Sequence, residues 1–219
     1  MKIASGIFLV GGLRESDSSD AAIYLVASGG EAALIDAGTG NGMDRVMRNI
    51  RETGTDPAGI RYLFLTHCHY DHSGGANRVR AATGCKIVIH ELDAEFLEEG
   101  NSVVTAASWY GAYMEPVKID VKVSGAEAAF TVGDSELRFY HAPGHSPGSS
   151  VLTARSDGKL ILFGQDVHGP LNESLRSDRR DYTRSLEFLL TLDADILCEG
   201  HFGVHVGKDK VRKFIESYL

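Results

Sequence analysis

Residues 66–75 read THCHYDHSGG and follow the apolar run RYLFL directly. Three histidines and one aspartate fall within six positions, where a predicted strand gives way to a glycine-containing turn. Residues two apart in an extended chain point to the same side, so we predict that His67 and His69 reach one cation. Asp71 and His72 come next, and we expect them to serve a second cation close by.

Further metal-binding residue types follow three other predicted strands. His145 lies in HAPGHSPGSS, Asp166 in LFGQDVHG and His201 in ILCEGHFG. Strand ends of a layered α/β protein converge on one edge of the sheet, where sites form. Metal sites usually gather ligands from several elements. We therefore predict that these three side chains meet the histidine run.

The order of predicted elements indicates two packed sheets. The strand-like runs GIFLVGG, AAIYLVAS and EAALIDAG precede a helical pattern with apolar residues at Met43, Val46, Met47 and Ile50, and Gly54 stands at its C-terminal end. A second series of strands, AAFTV, SELRFYHAPG, SSVLTARS and KLILFGQD, precedes the helical run DYTRSLEFLLTL. Two similar halves packed face to face, with helices outside two sheets, account for this order.

Length and composition limit the classes of protein that fit. The chain has 219 residues, so we expect a single domain over residues 1–219. Its formal net charge of −8 argues against a nucleic-acid partner, which requires clustered Lys and Arg. Cys68, Cys85 and Cys198 show no disulfide or zinc-knuckle spacing. With no apolar run of membrane-spanning length and no signal-peptide pattern, we expect a cytoplasmic protein without a membrane partner.

Some residues keep more than one interpretation at this stage. The segment 101–120 forms a helical flap or a packed aromatic face, or it contributes to a substrate pocket; the residues concerned are Trp109, Tyr110, Tyr113 and Met114. Two candidate substrate contacts are His168, which is two residues beyond Asp166, and Tyr70, for which a packing role is the alternative.

These motifs resemble the metallo-β-lactamase fold superfamily over essentially the whole chain. The resemblance is carried by Asp36 in LIDAG, by THCHYDH, and by His145, Asp166 and His201 in the same order. It implies an α/β fold (α+β in some schemes): a four-layer αββα sandwich of two mixed β-sheets flanked by helices.

The resemblance also implies a ligand set for two divalent metal ions. Zinc is expected, and iron or manganese are alternatives that suit the same imidazole and carboxylate ligands. Asp36 would orient the histidine loop without binding metal. The implied ligands are His67, His69 and His145 for the first metal, Asp71, His72 and His201 for the second, and Asp166 as the bridge.

Such a centre predicts hydrolysis of a small-molecule carbonyl substrate: a thioester, lactone, ester or amide. Two close cations lower the pKa of a shared water to give a hydroxide nucleophile, and Asp71 is the catalytic carboxylate that orients it or takes its proton. The alternative is a persulfide dioxygenase-like protein with a single iron. A phosphodiesterase or a non-catalytic regulator is a further alternative. A homodimer is expected from the size of the chain.

Overall fold

The strands form two β-sheets in the computed structural model, which describes residues 1–219 apart from the side chain of Gln165. The first sheet has seven strands in sequence order, antiparallel from β1 to β4 and parallel from β4 to β7. Its central strands read as continuous apolar runs, as expected for strands covered on both faces. These strands are β1 (Lys2–Ala4), β2 (Ile7–Gly11), β3 (Ile23–Ser28), β4 (Glu31–Ile35), β5 (Ile60–Phe64), β6 (Lys86–His90) and β7 (Val121–Val123).

The second sheet has six strands in the order β13-β12-β11-β10-β9-β8. Only the neighbours β11 and β12 run parallel, because a helix connects them, whereas the other neighbours are antiparallel. Its strands are β8 (Glu127–Val132), β9 (Ser135–His141), β10 (Ser150–Ser156), β11 (Lys159–Gln165), β12 (Ile196–Glu199) and β13 (Val204–Val206).

Helices cover the outer face of each sheet. The first sheet carries α1 (Met43–Glu52), α3 (Ala76–Thr83) and α4 (Glu91–Glu98), and the one-turn helix α2 (Tyr70–Ser73) lies at its edge. The second sheet carries α5 (Arg179–Thr191) and α6 (Lys208–Glu216).

Three apolar layers hold these elements together. Phe64, Phe139 and Phe163 are fully buried between the two sheets. Val46 of α1 packs on the outer face of the first sheet, and Leu186 of α5 packs on the second. Burial of apolar surface contributes roughly 25 cal/mol per Å², which makes these layers the main source of stability. The predicted αββα sandwich of two mixed sheets is confirmed.

The prediction differed from the structure mainly in short elements. The strands β1, β7 and β13 were not predicted, because three residues are too few to show an alternating pattern. The chain bends over residues 66–68 instead of continuing β5, and α2 follows at once. Gly54, with φ of +87°, follows the end of α1 as expected.

Candidate metal centre

Loops from both sheets meet at one edge of the sandwich. After β5 the chain stays anchored, because the Leu65 amide donates to the Val88 carbonyl at 2.9 Å. The Ser150 amide, at the start of β10, donates to the Thr66 carbonyl at 2.8 Å and so joins the second sheet to the histidine loop. The loop after β9, the end of β11 and the end of β12 open at the same edge, which brings His145, Asp166 and His201 to this point.

The seven predicted ligands fall into two adjacent groups. Within each group, one candidate ligand atom per residue lies within 4.8 Å of all the others, which is close enough to surround one cation. The rings of His67 and His69 are 4.5 Å apart, as are those of His69 and His145. The first group is His67, His69, His145 and Asp166, and the second is Asp71, His72 and His201.

Asp166 lies between the two groups and turns one oxygen towards each. Its Oδ2 atom is 3.3 Å from Nε2 of His145. Its Oδ1 atom is 3.0 Å from Nε2 of His72 and 3.4 Å from Nε2 of His201. Asp166 therefore contacts side chains of both groups.

Buried nitrogen atoms without hydrogen-bond partners make the first group suitable for a cation. Among the described residues, Nε2 of His67, His69 and His145 is buried and has no such partner. The other ring nitrogen of His145 lies 2.9 Å from the Pro170 carbonyl, which leaves the Nε2 lone pair facing the cluster. Burial lowers the pKa of His67 and His69 well below the usual value, so both are neutral and ready to bind a metal ion.

The second group attracts positive charge. Burial by itself lowers the pKa of His72, but the carboxylates of Asp166, Asp36 and Asp71 raise it well above the usual value. The pKa of His201 rises to about 10: burial opposes the rise, and hydrogen bonds to Asp166 and Asp71 outweigh it. A divalent cation satisfies the same carboxylates that otherwise hold these protons. The donor set of both groups therefore fits divalent metal ions.

Asp36 contacts the histidine loop through both of its carboxylate oxygens. Its Oδ1 atom accepts a hydrogen bond from the Thr66 amide at 2.8 Å. Its Oδ2 atom lies 2.7 Å from Nδ1 of His72. This contact leaves Nε2 of His72 free to face the cluster.

Asp93, at the start of α4, was not predicted to belong to the site. It is fully buried and connects two ligand loops. Its oxygens accept from the Cys68 amide at 2.9 Å, the Ser146 hydroxyl at 2.6 Å and the Gly148 amide at 2.6 Å. One acidic residue in a helical run carries no sequence signal for such a role.

His168 and Tyr70, the predicted substrate contacts, occupy different settings. Nδ1 of His168 lies 2.8 Å from the buried Glu199 carboxylate, and His168 forms a third possible cation group with Asp166 and His201. Tyr70 packs on the apolar core and on the ring of Tyr110, at 5.6 Å. It does not line the cleft that lies beside His201. A substrate contact of either residue stays a prediction.

The aromatic segment divides between packing and the site. Met114 is buried in the core, whereas Trp109 and Tyr113 are exposed. Tyr110 lies in the turn Ala107–Tyr110 and lines a cleft that also contains His201. Burial, together with the nearby Asp71 charge, raises the pKa of Tyr110, so its hydroxyl stays protonated beside this carboxylate.

Three further histidines pack outside the two ligand groups. The rings of His90 and His141 stack at 3.8 Å, and His205 packs on Phe214. Cys68 is buried in the core beneath the histidine loop. Across the described residues, the helices are too short or too polar to cross a membrane.

Known enzymes are similar to this chain in sequence. The hydroxyacylglutathione hydrolase of Anaeromyxobacter dehalogenans is 32% identical over 68% of this chain and 47% of its own length, so the chain spans about half of that relative. The acyl-coenzyme A thioesterase MBLAC2 of Gallus gallus is 28% identical over 99% of this chain and 84% of its own length.

Solved structures share the fold. A metallo-β-lactamase variant from Cronobacter sakazakii matches with a TM-score of 0.82 at 22% identity, covering 100% of this chain and 92% of that one. The MIM-2 metallo-β-lactamase matches with a TM-score of 0.83 at 19% identity, covering 99% of this chain and 86% of that one. The model of the metallo-beta-lactamase superfamily matches residues 19–201. Because that match spans most of the chain, the predicted resemblance is confirmed, and the chain belongs to the metallo-β-lactamase superfamily.

Proposed function

We propose that this protein is a two-metal hydrolase of thioesters. The observation that carries the proposal is the convergence of seven ligand-type side chains in two groups, with Asp166 directed at both. The relatives that match the chain include an acyl-coenzyme A thioesterase and a hydroxyacylglutathione hydrolase. Both names indicate enzymes that act on thioesters. This narrows the carbonyl substrates expected from the sequence.

Each ligand group has a separate part in the proposal. His67, His69 and His145 would hold the first metal ion. Asp71, His72 and His201 would hold the second, and Asp166 would bridge the two. Zinc suits this mixture of imidazole and carboxylate, with iron and manganese as alternatives. When bound, the two ions would polarise the carbonyl group and lower the pKa of an attacking water.

Asp71 would orient the water and accept its proton. Its Oδ2 atom lies 3.2 Å from Nε2 of His201, on the side of the cluster that faces the cleft. In the overall reaction, water adds to the carbonyl carbon and the carbon–sulfur bond breaks. The products are a thiol and a carboxylate, and one proton is released to the solvent.

The substitution Asp71→Asn tests this role. Loss of a general base commonly reduces turnover by roughly 10²–10⁴-fold, so we expect a decrease of that order. Far-UV circular dichroism and bound metal would be measured in parallel, to separate loss of the base from loss of the metal. Near-normal turnover in a metal-loaded variant would contradict the role.

The central test joins metal analysis to catalysis. Protein purified without added metal would be analysed for zinc, iron and manganese, and then assayed with acyl thioesters. We expect about two metal ions per chain at saturation, and loss of hydrolysis in His145→Ala, because the first site loses a ligand. His205→Ala is the matched control, because His205 packs on Phe214 away from the cluster.

The competing single-iron reading predicts a different result. If only the iron-loaded protein is active, and it consumes oxygen in step with a persulfide, the protein is a dioxygenase and the proposed hydrolase function is wrong. The complete second group of ligand-type residues favours the hydrolase. A small-molecule substrate, a cytoplasmic location and a homodimer stay predictions from the sequence.

A further inference from the structure

An open cleft of about 490 Å³ lies beside the second ligand group and is not explained by metal binding. We call it the acyl cleft. Its volume is within the range of small-molecule sites. Among its lining residues are Leu9, Leu13, Tyr24, Tyr110, His201 and Phe202.

Large apolar side chains form an accessible part of the wall of the acyl cleft. Leu13 is 64% exposed, Phe202 57% and Tyr110 43%, which are high values for large apolar side chains. Tyr24 forms the floor of the cleft: it is buried, its ring packs on Phe163, and its hydroxyl donates to the Glu199 carbonyl at 2.7 Å. Apolar groups gathered around one concave surface are typical of a ligand site.

The cleft begins at the reacting centre. His201 lines the cleft, and its Nε2 atom is 3.2 Å from Asp71 and 3.4 Å from Asp166. Tyr110 also lines the cleft, and its ring lies 5.6 Å from that of Tyr70, which precedes Asp71 in the chain. A substrate group that extends from the cluster on this side therefore enters the cleft at once.

The charges of the cleft do not suit an anionic group. Arg14 and Glu15 both line it, and their opposite charges offset one another. The Asp20 carboxylate is occupied by the Ser16 hydroxyl at 2.6 Å and the Thr39 amide at 2.8 Å. A phosphorylated thiol would find no net positive charge here, whereas a hydrocarbon chain would find apolar walls.

We propose that the acyl cleft binds the linear apolar acyl chain of the substrate and so selects acyl thioesters with extended chains. The proposal rests on the proposed thioester hydrolysis. Leu13 and Phe202 are the specificity-determining residues at its mouth.

Chain-length dependence tests the proposal. S-acyl N-acetylcysteamine thioesters with acetyl, butanoyl, hexanoyl and octanoyl groups keep the thiol constant. We expect kcat/KM of the metal-loaded protein to rise with length by up to about fourfold per methylene, the gain for a fully buried methylene group. Octanoate should inhibit competitively and more strongly than acetate. This comparison measures the affinity of the cleft for an alkyl chain independently of the hydrolysis of longer substrates.

Variants locate the effect. Leu13→Asp and Phe202→Asp should reduce the dependence on chain length, because each places a charge beside the hydrocarbon. Leu219→Asp is the matched control: Leu219 is 52% exposed and does not line the cleft, so its profile should follow the wild type. Thermal unfolding of every variant would confirm that it is folded.

Three results would contradict the proposal, and they separate its parts. Hydrolysis of all four thioesters at equal kcat/KM would overturn the acyl cleft and leave the thioester hydrolase standing. If the chain-length dependence is undiminished in both Leu13→Asp and Phe202→Asp, the acyl chain of the substrate does not bind in this cleft. Failure to hydrolyse any thioester with zinc, manganese or iron bound would overturn the proposed function, and the acyl cleft with it.

Discussion

At the scale of single residues, some carboxylates are not proposed to bind metal but hold the proposed ligands in place. Asp36 adopts φ of +65°, a conformation that Asp and Asn tolerate better than most residues. From this position its two oxygens contact both the Thr66 amide and the His72 ring. The orientation of a proposed ligand therefore depends on a residue 36 positions earlier in the chain.

Asp36→Asn should weaken binding of the second metal ion. The amide keeps the backbone conformation but presents no charged acceptor to Nδ1 of His72. Loss of such supporting contacts typically costs 10–100-fold in metal affinity, so we expect a decrease of about that size. Competition with a chromophoric chelator measures it. Asp56→Asn, an exposed carboxylate elsewhere, is the control, and equal affinities in the two variants would refute the role.

Asp93 gives a second prediction at this scale. The amides of Cys68 and Gly148 donate to different oxygens of Asp93, so in Asp93→Asn, which keeps only one acceptor oxygen, at least one of these amides faces an NH₂ group and loses its partner. A buried donor left unpaired costs about 1–3 kcal/mol, so urea unfolding should show a loss of that order. Metal affinity should fall as well, because two ligand loops lose their common anchor. Glu91→Gln, exposed on the same helix, should change neither property; the prediction is wrong if Asp93→Asn also changes neither.

At the scale of elements, the irregular segments position the residues of the site as much as the strands do. The Tyr70 amide donates to the Thr105 carbonyl at 2.7 Å, which ties the histidine loop to the segment after α4. Ala106 and Gly111 have φ of +58° and +64°, and they bound the turn that carries Tyr110. Left-handed backbone at both ends turns the chain sharply and brings this aromatic ring to the cleft.

The start of α5 joins helix capping to the site. Asp178 Oδ1 accepts from the amides of Arg180 at 2.8 Å and Asp181 at 2.9 Å. The Asp178 amide donates to the Gly144 carbonyl, next to His145 in the chain. The cap therefore stabilises the helix and the loop of a proposed ligand together.

Asp178→Ala should lower Tm by roughly 2–4 °C, the effect expected when a cap is lost in a chain of this size. The hydrogen bond from Asp181 lowers the pKa of Asp178. A lowered folded-state pKa means that this stabilisation is present above the unfolded-state pKa and is lost as the pH falls through the folded value. Calorimetry at neutral and acidic pH should therefore show a smaller difference at the acidic pH. Asp209→Ala, in the first turn of α6 but not capping it, is the control.

At the scale of the whole molecule, the proposed ligands come from both sheets. His67 and His69 follow a strand of the first sheet, and His145, Asp166 and His201 follow strands of the second. A bound cation would hold both sheets at one edge, and a ligand that binds only the folded state adds to stability. Without it, buried imidazole nitrogens remain unpaired.

Removal of metal should therefore inactivate the protein and also lower its Tm. Dialysis against dipicolinate, followed by differential scanning calorimetry, measures the change, and added zinc should restore both properties. His145→Ala should show a much smaller response to the chelator. A Tm that is the same before and after complete metal removal would contradict the cross-linking role.

The sequence by itself determined the family, the order of the long elements and the set of seven ligand-type residues. These features are local: apolar periodicity marks strands and helices, and H-x-H-x-D-H concentrates ligands within one short stretch. Met114 and Tyr110 show the limit, because both lie in one aromatic segment that no local pattern divides into core and site. The expectation of one domain over residues 1–219 stays a prediction.

Only the tertiary structure decided how those residues act together. The cross-chain contacts of Asp93, the two-sided position of Asp166 and the cleft between Leu13 and Phe202 join residues far apart in the chain. The bend at residues 66–68 likewise depends on anchors in β6 and β10. Such contacts arise when two sheets pack and their strand ends meet at one edge, and packing between distant segments leaves no periodic trace in the sequence.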